Sequence, residues 1–211
     1  PYIGSNDGYG GDAFITKLTP DGTKVWTRLL GTSEGETGFA LATGLDGSIY
    51  LCGYTWGSLD GKTPYGTFIT KYSPDGTKAW TQMLFTRGGG FFTDAFNSIT
   101  VGNDGAIYVS GTTGFSLDGQ ELIGGQDAFV AKFNPDGTKV WTKLLGGMGL
   151  DAGTGIKVGP DGAIYLSGFT SGPIDDQATI GGVDSFIIKL TSPDTSIPKI
   201  TVFANKSNLL L

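Results

Sequence analysis

Three strings recur in a fixed order along this 211-residue chain, and that periodicity constrains the fold more than any other feature. Pro-Asp-Gly-Thr-Lys-x-Trp runs from Pro20 to Trp26, from Pro74 to Trp80 and from Pro135 to Trp141, at offsets of 54 and 61 residues. Asp-Gly-[Ser/Ala]-Ile-Tyr-[Leu/Val]-x-Gly runs from Asp46 to Gly53, from Asp104 to Gly111 and from Asp161 to Gly168, at offsets of 58 and 57. A third marker, an apolar run ending on Lys and an apolar residue, starts at Phe14, Phe68, Phe129 and Phe186. Independent markers in one order imply one structural unit of about 57 residues used repeatedly.

Each unit predicts four strands. Strand A covers 14–18, 68–72, 129–133 and 186–190, and a Pro-Asp-Gly-Thr hairpin turn leads to strand B at 24–30, 78–84 and 139–145. A Gly-rich loop leads to strand C near 41–44, 99–102 and 156–159, and a second Asp-Gly turn to strand D at 48–53, 106–111 and 163–168. Four consecutive antiparallel strands per repeat is the blade of a β-propeller. The expected fold class is therefore all-β: a propeller of four-stranded antiparallel blades, about three and a half of them, since 211/57 is about 3.7. Residues 1–10 read as the end of a preceding blade, 11–57, 58–115 and 116–170 as blades, 171–191 as the start of a further blade, and 192–211 as a C-terminal strand or tail. A closed ring takes about four to eight blades, so the expectation is a piece of a larger chain, with a ring completed by two copies as the alternative. Within each blade strand A is expected to line the central channel, carrying Lys17, Lys71, Lys132 and Lys189 as ion pairs or as an anion-binding ring.

The segment DAFITKLTPDGTKVWTRLLG with its copies, and DGAIYVSGTT with its copies, resemble the bacterial seven-bladed β-propeller repeat family, SBBP, over residues 10–191. The resemblance implies blade architecture, and a large secreted or cell-surface bacterial protein joined to adhesion-type modules. It implies no particular chemistry.

Composition narrows the chemistry. Glycine takes 37 of 211 positions, hydrophobic residues are 38% and aromatics 12%, so the chain is turn-dense yet able to build a core. The net charge of −6 disfavours nucleic acid and anionic lipid as partners. No run of 18 apolar residues exists to insert into a membrane. There is no His, which removes Ser-His-Asp and Cys-His catalysis within this chain. The single Cys52 aligns with Ser110 and Ser167 and reads as a small buried slot.

Candidate site residues lie where the repeats differ or where acids recur. Trp56 aligns with Gly114 and Ser171, so the blade does not require it, and in the loop after strand D it is placed to stack on a sugar or a partner surface. Asp60, Asp118 and Asp175 align in that same loop as ligand- or partner-binding candidates. Glu36, Asp94 and Asp151 align just before strand C, and Asp12, Asp127 and Asp184 just before strand A. All fall at one end of the blades. Hard cations take several oxygen ligands, which makes Ca²⁺ the candidate ion for Glu36, Asp94 and Asp151; the competing reading is that these acids cap loops. The expected function is a non-enzymatic secreted or cell-surface module for adhesion, scaffolding or assembly, possessing no catalytic residues, with other chains, further domains or surface carbohydrate as partners. The alternative is a carbohydrate-active lyase or glycosidase using the loop-end carboxylates, with Glu121 and Tyr65 as its non-repeated candidates.

Overall fold

The computed structural model describes residues 11–62, 65–85, 95–174, 177–191 and 199–204. Among them are fourteen strands, one short 3₁₀ turn and no α-helix. In chain order the strands are β1 (Ala13–Leu18), β2 (Lys24–Leu30), β3 (Glu36–Thr43), β4 (Ile49–Thr55), β5 (Gly66–Tyr72), β6 (Lys78–Phe85) and β7 (Ala95–Val101). The second half holds β8 (Ile107–Thr113), β9 (Asp127–Phe133), β10 (Lys139–Leu145), β11 (Asp151–Val158), β12 (Ile164–Thr170), β13 (Asp184–Thr191) and β14 (Lys199–Ala204). The expected A, B, C and D strands are all present, each within a few residues of its position in the sequence reading.

The hydrogen bonding regroups them. The sheets are β1-β2, β3-β4-β5-β6, β7-β8-β9-β10 and β11-β12-β13-β14, here sheets 1 to 4, and their strand pairs are antiparallel. A four-stranded sheet thus runs C-D-A-B, not A-B-C-D. The blade bounds 11–57, 58–115 and 116–170 each cut a sheet in two, and strand A sits third in its sheet, so it is not the first strand expected to line a channel. The reason is in the loops: the repeated strings locate the A–B and C–D hairpins, while the D–A connection that joins them varies in length and sequence.

Both hairpins close the same way. In all three A–B and all three C–D turns a glycine takes the left-handed conformation, with φ between +76° and +89° (Gly22, Gly47, Gly76, Gly105, Gly137, Gly162). The preceding Asp accepts a backbone N–H two residues on: Thr77 to Asp75 Oδ1 at 3.0 Å, Thr138 to Asp136 at 2.9 Å, Ser48 to Asp46 at 3.0 Å. These N–H donors hold the carboxyls of Asp75, Asp136 and Asp46 below the usual aspartate range.

The chain forms two compact units, residues 1–96 and 97–211. In the first, Ala13, Ile15 and Leu30 of sheet 1 pack on Leu51, Phe68 and Tyr72 of sheet 2. Arg28 adds a latch: its Nε donates to Gly76 O at 2.9 Å and an Nη to Asp75 O at 3.1 Å. In the second, Tyr108, Ala128 and Val130 of sheet 3 pack on Leu166, Phe186, Ile188 and Leu190 of sheet 4. Ala13 and Ile15 are the repeat equivalents of Ala128 and Val130, and Leu51 and Phe68 those of Leu166 and Phe186. The same leading face of one sheet meets the same trailing face of the next in both units. A strand buried on both faces loses its polar–apolar alternation, and β8 is buried at all seven positions.

The recurring strand-A lysines bridge to the C–D turns. Lys132 pairs with Asp104 and Lys189 with Asp161, each at 3.0 Å, and Lys71 lies 3.6 Å from Asp46. Each also lies over the ring of the neighbouring strand-D tyrosine, Tyr108, Tyr165 and Tyr50, at 5.3 to 5.4 Å. This is the structural ion-pair alternative among the two expected roles. Lys17 instead donates to Pro74 O at 3.1 Å.

Candidate functional site

The B–C and D–A loops gather the candidate residues at one end of the sheets. Here one rule repeats: the acid at the start of a strand accepts the backbone N–H of the residue four positions earlier. Thr32 donates to Glu36 Oε2 at 2.8 Å, Ile123 to Asp127 Oδ2 at 3.1 Å, Gly147 to Asp151 Oδ2 at 2.8 Å, and Ile180 to Asp184 Oδ2 at 2.6 Å. Each carboxylate thereby closes the loop that delivers it. Two of these strand starts are also tied across loops by backbone: Glu36 N–H donates to Gly11 O at 2.6 Å and Asp151 N–H to Gln126 O at 2.8 Å.

Glu36 is the most fully occupied of the acids. Its Oε1 also accepts the hydroxyls of Thr32 at 2.8 Å and Thr55 at 2.7 Å, so three donors surround a buried carboxylate. Asp127 and Asp151 differ. Both are fully buried, and the Oδ1 atom of each has no hydrogen-bond partner. Burial raises the Asp151 carboxyl above the ordinary aspartate value, and the nearby Asp127 charge raises it further, against the lowering effect of Thr170 and of the Gly147 N–H. Gly146 shows how tightly this corner is built, since a Cβ there would lie 2.4 Å from Asp127 Oδ1.

The expected metal set is not assembled by these observations. Glu36 and Asp151 belong to different compact units, and Asp94 lies outside the described residues. Among the described residues no group of three or more Cys, Asp or Glu side chains is placed to hold an ion. What the structure does bring together is Asp127 with Asp151, one from each aligned series, a pairing that spacing alone does not reveal because it joins successive sheets.

Asp60 and Asp118 occupy equivalent left-handed positions, at φ +53° and +52°. Each forms an ion pair with the lysine that opens the following strand B: Asp60 with Lys78, and Asp118 with Lys139, at 2.7 Å to Oδ2. A ligand at either acid competes with that lysine. Asp175 lies outside the described residues. The loop carries an anchor that the sequence reading passed over. Ser-Leu-Asp-Gly occurs at 58–61 and again at 116–119, and its leucines Leu59 and Leu117 are buried, as is Ile174 at the corresponding place.

Trp56 is half-buried at the end of β4 and is the centre of an aromatic group. Tyr54 meets its ring edge-on at 5.2 Å and Tyr65 at 6.4 Å. Tyr65 itself holds φ +63°. The second non-repeated candidate, Glu121, lies in the D–A loop of sheet 3 apart from this group in sequence. Cys52 is fully buried, and burial pushes its thiol up to about 12, far from a reactive thiolate.

No family model matches the chain. It is similar to an uncharacterized WD repeat-containing protein of Acanthamoeba polyphaga mimivirus, 31% identical over 124 residues, which is 49% of this chain and 8% of that protein. It is similar to the regulatory protein FlaEY of Caulobacter vibrioides, 25% identical over 178 residues, 74% of this chain and 18% of that protein. The chain therefore spans less than a fifth of either relative. Two crystal structures of proteins of unknown function also align with it. One, from Bacteroides caccae, covers 92% of this chain and 70% of its own at 11% identity and a TM-score of 0.45. The other, from Dyadobacter fermentans, covers 78% and 53% at 13% identity and a TM-score of 0.46.

Proposed function

We propose that the chain is a run of β-propeller blades serving as a non-enzymatic scaffold for protein contacts, in a secreted or cell-surface bacterial protein of the SBBP kind. The observation that carries this reading is the repeated junction: in each compact unit a sheet buries its leading face on the trailing face of the next, through repeat-equivalent residues. Propellers are built by that operation, and they present loops at the sheet ends as interaction surfaces. The name of the viral relative, a WD repeat-containing protein, supports a repeat scaffold. The SBBP assignment rests on the repeated motifs, and the location rests on that resemblance.

The carboxylates support the same reading. The recurring acids Glu36, Asp60, Asp118, Asp127, Asp151 and Asp184 close loops or pair with lysine, and they come in repeated series, whereas catalysis needs one asymmetric constellation. Among the described residues no helix is long and apolar enough to cross a membrane. The test is a turnover survey against neutral and acidic polysaccharides, followed by reducing ends and unsaturated products. No turnover is expected; turnover abolished by Glu121→Gln or Asp151→Asn overturns the scaffold reading in favour of a carbohydrate-active enzyme.

A further inference from the structure

Each compact unit opens a crevice at the same place, between strand B of one sheet and the D–A loop of the next. In the second unit it measures about 460 Å³ and is walled by Lys143, Leu144, Leu145, Pro173 and Ile174 among others. In the first it measures about 470 Å³, and the repeat equivalents on its wall are Arg28, Leu29, Leu30, Ser58 and Leu59. Leu30 and Leu59 are buried and form an apolar floor, while Leu29 stays exposed. Arg28 is held from several sides, and by no acid. Its Nε donates to Gly76 O at 2.9 Å, one Nη to Asp75 O at 3.1 Å and the other to Thr27 O at 3.1 Å, and the guanidinium lies over the Trp26 ring at 5.3 Å. The ion pairs among the described residues all use lysine. Asp75, whose carboxyl feels the Arg28 charge, accepts the Thr77 N–H of its own turn at 3.0 Å. Asp60, the acid on the crevice wall, pairs with Lys78.

The carbonyls leave one N–H on each Nη of Arg28, and that pair is the fork that grips a carboxylate through two parallel hydrogen bonds. With Arg28 and Lys78 set against Asp60, the wall carries an excess of positive charge in a chain whose net charge is −6. Tyr72 lines the same crevice; burial, with the Asp60 charge adding, pushes its hydroxyl up to about 12, so at neutral pH it is an uncharged donor. We propose that the crevice of the first unit binds an acidic side chain of a partner protein, its carboxylate on the Arg28 fork and its methylene stem against Leu30 and Leu59. A sugar acid fits less well, because its ring hydroxyls would meet Leu29, Leu30 and Leu59, which offer no hydrogen bonds. The crevice of the second unit is not expected to bind the same group, since Lys143 is a point charge without a fork. This site rests on the scaffold reading and gives the chemistry of one partner.

Two-dimensional NMR of the whole chain at neutral pH tests it, following the Arg28 Nε–H and Gly76 amide signals during titration with glutamate blocked at both ends, acetyl-Glu-N-methylamide. Saturable shifts of both signals are expected. The acetyl-Gln-N-methylamide analogue keeps the stem without the charge and is expected to bind about tenfold more weakly. Acetate keeps the charge without the stem and is also expected to bind more weakly. Arg28→Lys keeps the charge, loses the fork, and is expected to weaken the blocked glutamate by about tenfold. Because Arg28 also holds the turn of sheet 2, the glutamine analogue on the wild type decides the matter if that variant loses its circular dichroism. No saturable shift with the blocked glutamate, equal binding of the glutamine analogue, or undiminished binding by a folded Arg28→Lys overturns the site. Acetate or glucuronate binding as tightly as the blocked glutamate assigns the crevice to free carboxylates and overturns the partner side chain. None of these outcomes touches the scaffold reading, which is judged by turnover on polysaccharides.

Discussion

At the scale of single residues, the aspartates divide by environment, and the division has a pH signature. Asp75 and Asp136 accept backbone N–H bonds that depress their carboxyls, so the stability they add is present above the unfolded aspartate value and is lost as pH falls through their folded values. Asp151 runs the other way. Its folded carboxyl is raised by burial and by Asp127, so its favourable contribution is complete below an unfolded value of about 3.9 and is lost as pH rises through the folded value. Asp151→Asn removes that loss while keeping the side chain's size. Thermal melts of variant and wild type between pH 4 and pH 7 are expected to show the variant gaining relative stability as pH rises; a difference that stays constant contradicts the raised carboxyl. Asp151 was legible in the sequence as a candidate, because it recurs before strand C. Its environment was not, because the burial that raises its carboxyl depends on packing between sheets, and Asp127, whose charge adds to it, belongs to the preceding sheet and aligns with a different series of acids.

At the scale of elements, glycine does two separate jobs that a count of 37 merges. Gly162 turns the C–D hairpin at φ +76° with open space around it. Gly168 lies inside β12 where the facing strand shifts register, and a Cβ there would lie 1.9 Å from Ala152 O and 2.5 Å from the Phe186 ring. Gly162→Ala therefore costs backbone strain alone, about 1–2 kcal/mol. Gly168→Ala forces backbone apart in a filled core, and is expected to cost more, up to about 3 kcal/mol. Denaturant midpoints of the two variants check the order; equal losses contradict the close-approach account. The hairpins were readable because Asp-Gly encodes its own turn locally. The sheets were not, because a sheet begins wherever a variable D–A loop returns the chain, and a loop anchored by one buried side chain such as Leu117 leaves little periodic signal. The order C-D-A-B follows from pairing β4 with β5 and β8 with β9, a long-range choice that local strings do not specify.

At the scale of the whole molecule, one kind of junction is used in both compact units. Each described sheet-to-sheet cluster joins a leading face to a trailing face through repeat-equivalent residues. Strands β7 and β11 are also tied directly, since Asn97 Nδ2 donates to Gly153 O at 2.9 Å and the Ile156 N–H to Ser98 Oγ at 3.3 Å. Those bonds place the first strands of successive sheets side by side, as a radial arrangement requires. The decisive measurement is an experimental structure of the chain by crystallography or electron microscopy. The expected result is successive four-stranded sheets fanned about one axis, with β3, β7 and β11 nearest to it; sheets layered in pairs as sandwiches would contradict the propeller.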